Sequence, residues 1–165
     1  TVLSGTECNI GMDGNIDLPD SVLADLDVVV ASVHSGFKQS EEEMTERVIA
    51  AMGNDHVTII GHPTGRILLS REPYRIDLPA VFDAAAALGV AMEINAFPGR
   101  LDLSDVNARL ACEHGVSFSL GSDAHNRKNL CSMEFGVATA RRGWLTAADI
   151  VNTRPLSELP LILRS

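Results

Sequence analysis

Cysteine is scarce and unpaired in this chain. Cys8, Cys112 and Cys131 are odd in number and widely spaced, and no CxxC pair occurs. A disulfide framework is not expected; reduced thiols in a cytoplasmic setting are. Long apolar runs are also missing: none approaches the roughly 18 to 20 residues needed to cross a bilayer. No signal-peptide pattern opens the chain. Low-complexity stretches and Pro/Gly-rich linkers are absent, so a single domain is expected over residues 1–165. Trp and Tyr occur once each, yet 45% hydrophobic and 21% charged residues is an ordinary globular balance. A net charge of −9 argues against a nonspecific, all-over nucleic-acid binder. The distribution matters more than the sum. "SEEEMTER" gathers acid on one helix, while Lys38, Arg66, Arg71, Arg75, Arg100, Arg127 and Lys128 stand in stretches after apparent strands. They are either solvated loop charge or a phosphate grip at one end of the fold.

Strand-like runs recur as "TVLSGTE", "LDVVVASVH", "HVTIIGH", "GVAMEIN" and "GVSFSLGSD". Helical segments alternate with them. "SEEEMTERVIAAM" carries a capping box, Ser40 with Glu43, ahead of Met44, Val48 and Ile49. "DLPAVFDAAAALG" is capped by Asp77 and stopped by Gly89; "LSDVNARLACEHG" repeats the design with Ser104 and Gly115. "GWLTAADIV" is a shorter candidate led by Thr146. Alternation with short connections predicts an α/β fold with a parallel sheet or an α/β barrel. Near-continuous apolar strands fit a sheet covered on both faces. The chain opens on Thr1 within a strand-like run, which suggests a piece of something longer.

Chemistry-bearing residues gather at the predicted strand ends: Glu7, then His34, then His62, then Glu93 with Asn95, then Asp123 with His125. Three of the five histidines fall there. In α/β barrels the site is built at that face from several strands. Carboxylate with imidazole suits Zn²⁺, Mn²⁺ or Fe²⁺, and a bridging carboxylate suits a multinuclear cluster. Such ions generate hydroxide near neutral pH and clamp the oxygens of a phosphoryl centre. Asp123 and His125, two apart in "SDAH", are expected to share one face of an extended segment. Glu93 and Asn95 face the same way on one strand and either could stand behind the site; Asn95 is favoured as a substrate or water contact. Cys8 follows Glu7 on the strand, so it faces the core. His56 reads as surface, and His114 as a donor at a helix C-terminus.

The motifs "GTECNI…DGNIDLPD", "DVVVASVHSGF…SEEEMTERVIAAM", "IIGHPTGR", "EINAFPGRLDLSD" and "SDAH…GVATARRGW" resemble the C-terminal part of the PHP (polymerase and histidinol phosphatase) domain of bacterial-type family X DNA polymerases. The likeness runs in unbroken order over nearly the whole chain. It implies a distorted (β/α)7 barrel, with about five βα units present here, and up to three divalent metals, Mn²⁺ or Zn²⁺. It implies phosphoester hydrolysis at DNA ends: 3'-5' exonuclease, 3'-phosphatase or abasic-site endonuclease action in DNA repair, beside a polymerase core upstream. Carried over by motif, Glu7 is the bridging carboxylate and His34 and His62 complete one metal site. Asp123 serves a second metal and His125 a third. Lys38, Arg66 and Arg100 would hold phosphate oxygens.

The family's opening HxH motif does not occur in this chain. The expectation is therefore an N-terminally incomplete domain with about one complete metal site, weak or inactive alone. A histidinol-phosphatase-type enzyme acting on small phosphomonoesters is the alternative, and a noncatalytic docking module is a third reading.

Overall fold

The computed structural model describes residues 2–159. Five strands form one parallel sheet in the order β1-β2-β3-β4-β5, each followed by helix: β1 (Gly5–Asn9), α1 (Asp20–Leu23), β2 (Val28–Ser32), α2 (Glu41–Met52), β3 (Ile59–Ile60), α3 (Leu78–Leu88), β4 (Ala91–Asn95), α4 (Asp105–Glu113), β5 (Phe118–Gly121) and α5 (Met133–Arg142). The expected α/β alternation is present, and β1 and β5 are the two edges of the sheet.

The strands read as unbroken apolar runs because each face has its own cover. Val29 and Ala31 point into the main core with Met44, Met52, Phe82 and Phe118 beneath α2, α3 and α4. Val28 and Val30 point the other way, packing with Ile59, Ala91, Val151 and Leu159. The register pairs Glu7 with Val30, Val30 with Ile59 and Ile59 with Ala91, so this second face carries Glu7 above an apolar floor. Cys8, one residue on, lies in the main core at 1% exposure, and all three cysteines are free.

Helix boundaries follow the capping chemistry. Ser40 and Glu43 form the reciprocal capping box of α2. Asp77 accepts from the Ala80 N–H at the start of α3, which Gly89 ends in the left-handed region at φ 68°. Ser104 accepts from the Asn107 N–H at the start of α4.

Three differences stand out. The first strand starts at Gly5 rather than with "TVLS": Ser4 is held instead by the Asp27 carboxylate, 2.7 Å from its N–H, and Thr1 lies outside the described residues. The strand also runs on to Asn9, so Glu7 sits mid-strand, not at a strand end. "GWLTAADIV" forms two 3-10 turns, Ala147–Asp149 and Val151–Thr153. Asn152 uses the second turn to cap the outer edge of β5, its side chain accepting from Leu120 N–H at 2.7 Å and donating to Leu120 C=O at 3.1 Å. Helix α5 was not read from the sequence. Its interior Gly136 is required because a Cβ there would stand 2.8 Å from Ala96 Cβ, so close does α5 approach the end of β4.

Candidate metal centre

Glu7 projects from β1 toward the carboxyl ends of β2 and β3. Its Oε1 receives the Ser32 hydroxyl at 2.8 Å and faces His62 Nε2 at 3.1 Å and His34 Nε2 at 3.4 Å. Ligand-competent atoms of Glu7, His34 and His62 all lie within 4.8 Å of one another. The two imidazoles meet edge to face, centroids 5.2 Å apart. The hydrogen bond with His62 holds the Glu7 carboxyl down at about 2, against partial burial and with help from Ser32. Burial, the larger influence, pushes His34 below its ordinary value although Glu7 pulls it up. A carboxylate kept ionised beside two imidazoles, one disfavoured as a cation, is a donor set for a divalent ion.

Two glycines make the space. At Gly61 a Cβ would lie 2.3 Å from Ser32 Oγ; at Gly121 it would lie 2.2 Å from Glu93 Oε1. His62 follows Gly61 with φ 28°, and its backbone N–H donates to Glu93 Oε2 at 2.7 Å. That turn buries the His62 ring to 2% exposure, with Nε2 on Glu7 and Nδ1 lacking a hydrogen-bond partner. The donor types and their spacing fit a metal-binding role for the three side chains.

Beside the triad lies a cavity of about 300 Å³ lined by Glu7, Glu93, Asn95, Asp123 and the strand residues below them. Burial raises the Glu93 carboxyl to about 7 despite the His62 N–H. Asn95, expected to touch substrate, is 1% exposed and fully engaged. Its amide donates to Asp123 Oδ2 at 3.2 Å and Glu93 Oε2 at 3.3 Å, and its carbonyl accepts from Phe97 N–H at 3.0 Å. It braces two carboxylates while also lining the cavity.

Asp123 and His125 differ in exposure but stay in contact, His125 Nδ1 standing 3.6 Å from Asp123 Oδ1. The chain leaves β5 at Gly121, and Asp123 takes φ 50°, which breaks the two-residue alternation. Asp123 turns inward at 20% side-chain exposure while His125 swings out at 82%. The His125 Nδ1 then lies 2.9 Å from the Asp123 carbonyl, and both residues line a second cavity of about 200 Å³ with Ile67, Phe97 and Arg100. Among the described residues, the three-ligand cluster is Glu7, His34 and His62 alone.

The basic residues divide. Arg66 is spent on backbone, its Nε donating to the Arg100 carbonyl at 2.9 Å and its Nη2 to that of Leu101, so it clamps the loop after β4 instead of facing the cavity. Arg100, on that loop, stands 3.6 Å from Asp123 Oδ2, and its Nη1 is buried without a hydrogen-bond partner. Lys38 is exposed on the loop after β2.

Sequence reading passed over several supporting residues. Arg47, 2% exposed on α2, donates to the carbonyls of Ile10 and Ser35 and to Gln39 Oε1, tying together the loops that follow β1 and β2. Asp102 accepts from both the N–H and hydroxyl of Thr64, fixing the loop after His62 to the one after Asn95. An arginine inside an otherwise apolar helical stripe was the available signal for the first; the second left none.

No protein-family model matches the chain. The DNA polymerase/3'-5' exonuclease PolX of Bacillus subtilis is 40% identical over 163 residues, which is 99% of this chain and 29% of that protein. That likeness is consistent with the PHP domain of the family X polymerases. A probable phosphatase of Thermoanaerobacter sp. is 36% identical over 162 residues, 92% of this chain and 64% of its own length. Another, from Caldanaerobacter subterraneus subsp. tengcongensis, is 40% identical over 134 residues, 75% of this chain and 50% of that protein. The chain thus spans less than two thirds of each of these relatives.

Proposed function

We propose that the chain is a metal-dependent phosphoesterase of PHP type that acts on DNA ends, as 3'-5' exonuclease, 3'-phosphatase or abasic-site endonuclease. The observation that carries it is the convergence of Glu7, His34 and His62 from three adjacent parallel strands. Relatives named as an exonuclease and as phosphatases support phosphoester chemistry. Residues 1–165 are proposed to be one PHP-type unit of a distorted (β/α)7 barrel, working beside a polymerase core in a longer polypeptide. The match to only 29% of a polymerase-exonuclease supports that arrangement.

A bound Mn²⁺ or Zn²⁺ would supply Lewis-acid polarisation and a water of lowered pKa. Glu7, His34 and His62 would hold it, with Ser32 aiming the carboxylate. Asp123 and His125 are proposed to serve further cations at the neighbouring positions. Arg100, beside Asp123, would bind a phosphate oxygen, and Lys38 would meet the substrate at the rim. Arg66 positions Arg100 through its carbonyl clamp.

The test supplies Mn²⁺ or Zn²⁺ and compares single-stranded DNA with a phosphomonoester such as p-nitrophenyl phosphate. Slow, chelator-sensitive release of 3'-nucleotides is expected, reduced at least about 100-fold in His62→Ala, as for loss of a metal ligand. Turnover indifferent to chelator and to His62 would contradict the proposal. Hydrolysis confined to the phosphomonoester would favour the small-molecule phosphatase reading, to which the phosphatase relatives also lend weight.

A further inference from the structure

The segment "DGNID" returns alongside β1 and supplies something the metal centre uses. Ile10 and Ile16 form an antiparallel bridge, and Gly11 N–H bonds the Asn15 carbonyl at 2.7 Å, closing a tight loop. Gly14, at φ 84°, lets the loop lie against α2, where a Cβ would meet Ala50 Cβ at 2.6 Å. The loop delivers Asp17 to Asn9. Asn9 N–H donates to Asp17 Oδ1 at 2.9 Å, Asp17 N–H donates to Asn9 C=O at 3.2 Å, and the Asn9 amide nitrogen donates to Asp17 Oδ2.

This arrangement decides the orientation of an amide. A carboxylate only accepts, so the Asn9 atom facing Asp17 is the NH₂ group, and Oδ1 is the atom left facing His34 Nδ1 at 2.6 Å. An amide oxygen also only accepts. Nδ1 must therefore carry the proton, because the opposite tautomer would set two lone pairs against each other at that distance. In the neutral ring the remaining lone pair is on Nε2, which faces Glu7 Oε1 at 3.4 Å, a looser opposition than the 2.6 Å contact at Nδ1 and one that a shared cation would relieve.

We propose that Asp17 and Asn9 are positioning residues that hold His34 as its Nδ1–H tautomer and so present the Nε2 lone pair to a cation shared with Glu7 and His62. This rests on the metal-site reading above, but the tautomer is a property of the chain without metal. Partners behind a ligating histidine set its tautomer and commonly change metal affinity about 10- to 100-fold. Asn9 and Asp17 are exposed, where water can partly substitute, so the low end applies.

The experiment is two-bond ¹H–¹⁵N correlation on the metal-free chain at about pH 8, above the ordinary imidazole pKa of about 6.5. Calorimetric Zn²⁺ titration of the same samples accompanies it. His34 is expected to show protonated Nδ1 and bare Nε2. Asp17→Ala and Asn9→Ala should each give mixed or fast-exchanging tautomers and roughly tenfold weaker Zn²⁺ binding, with the His62 resonances in place as the check on folding. A wild-type ring protonated at Nε2 would overturn the proposal whatever the variants do. So would folded variants that keep the wild-type tautomer and affinity. If the relay controls the tautomer but no Zn²⁺ binds, the metal-site reading falls and the tautomer assignment stands.

Discussion

Glu7 and Glu93 stand on one face of the sheet and are driven in opposite directions. Glu7 is stabilised as an anion by His62 and Ser32, so its folded value of about 2 lies below its ordinary 4.5. Its contribution to stability is complete above pH 4.5 and disappears as pH falls toward 2. Glu93 is raised by burial to about 7, so ionising it opposes folding, with a cost that grows between about pH 4.5 and 7. Urea denaturation of the metal-free chain should therefore find Glu93→Gln gaining on the wild type by about 1–3 kcal/mol between pH 5 and pH 8. A difference that stays constant with pH would remove the assignment. The residue types at this site were readable in advance because ligands come from a short menu. Their orientations were not. Period-two alternation placed Asp123 and His125 alike, whereas the positive φ of Asp123 breaks the alternation and leaves one turned inward and the other exposed, still in contact. Asn95 likewise gave no sign in the sequence that its amide was committed to two carboxylates.

Capping chemistry is local, and local signals located the elements. The Ser40–Glu43 box, the Asp77 and Ser104 caps and the glycine stops all follow from side chains within three or four residues of the backbone groups they satisfy. Ser40→Ala should cost about 1 kcal/mol in thermal or urea unfolding, without changing the site. Long-range determinants were hidden for the same reason. Helix α5 has a glycine at its centre, which local propensity reads as a break, while its actual role is contact with β4. Gly121 belongs to this class. Gly121→Ala would drive a methyl into Glu93, and overpacking of that kind costs about 1–3 kcal/mol. Unfolding measurements should show that loss in Gly121→Ala and relieve part of it in Gly121→Ala combined with Glu93→Ala. An additive double variant would place the clash elsewhere.

Across the whole molecule, the parallel sheet has an apolar floor and a polar rim on the same face. Val28, Val30, Ile59 and Ala91 lie below; Glu7, Ser32, Glu93 and Asn95 stand above. Strand alternation fixes which residues share that face, and register brings residues far apart in sequence side by side. That division is why the fold class and the clustering of Glu7, His34 and His62 could be anticipated together, whereas the clamps by Arg47, Arg66 and Asp102 emerge only once loops are placed. Among the described residues no helix is long and apolar enough to cross a membrane. If the triad is a metal site, ligand binding must stabilise the fold, by about 2.7 kcal/mol at a hundredfold excess over Kd. Thermal unfolding with and without Mn²⁺ or Zn²⁺ checks that directly, and Arg66→Ala should retain the shift.

The decisive measurement is cation stoichiometry and affinity, by calorimetry with elemental analysis, for the chain and for Glu7→Gln, His34→Ala and His62→Ala. The expected result is about one tightly bound divalent ion in the unaltered chain, consistent with a three-residue protein site, with affinity falling steeply in every variant. Equal uptake by folded variants lacking these side chains would contradict the metal centre.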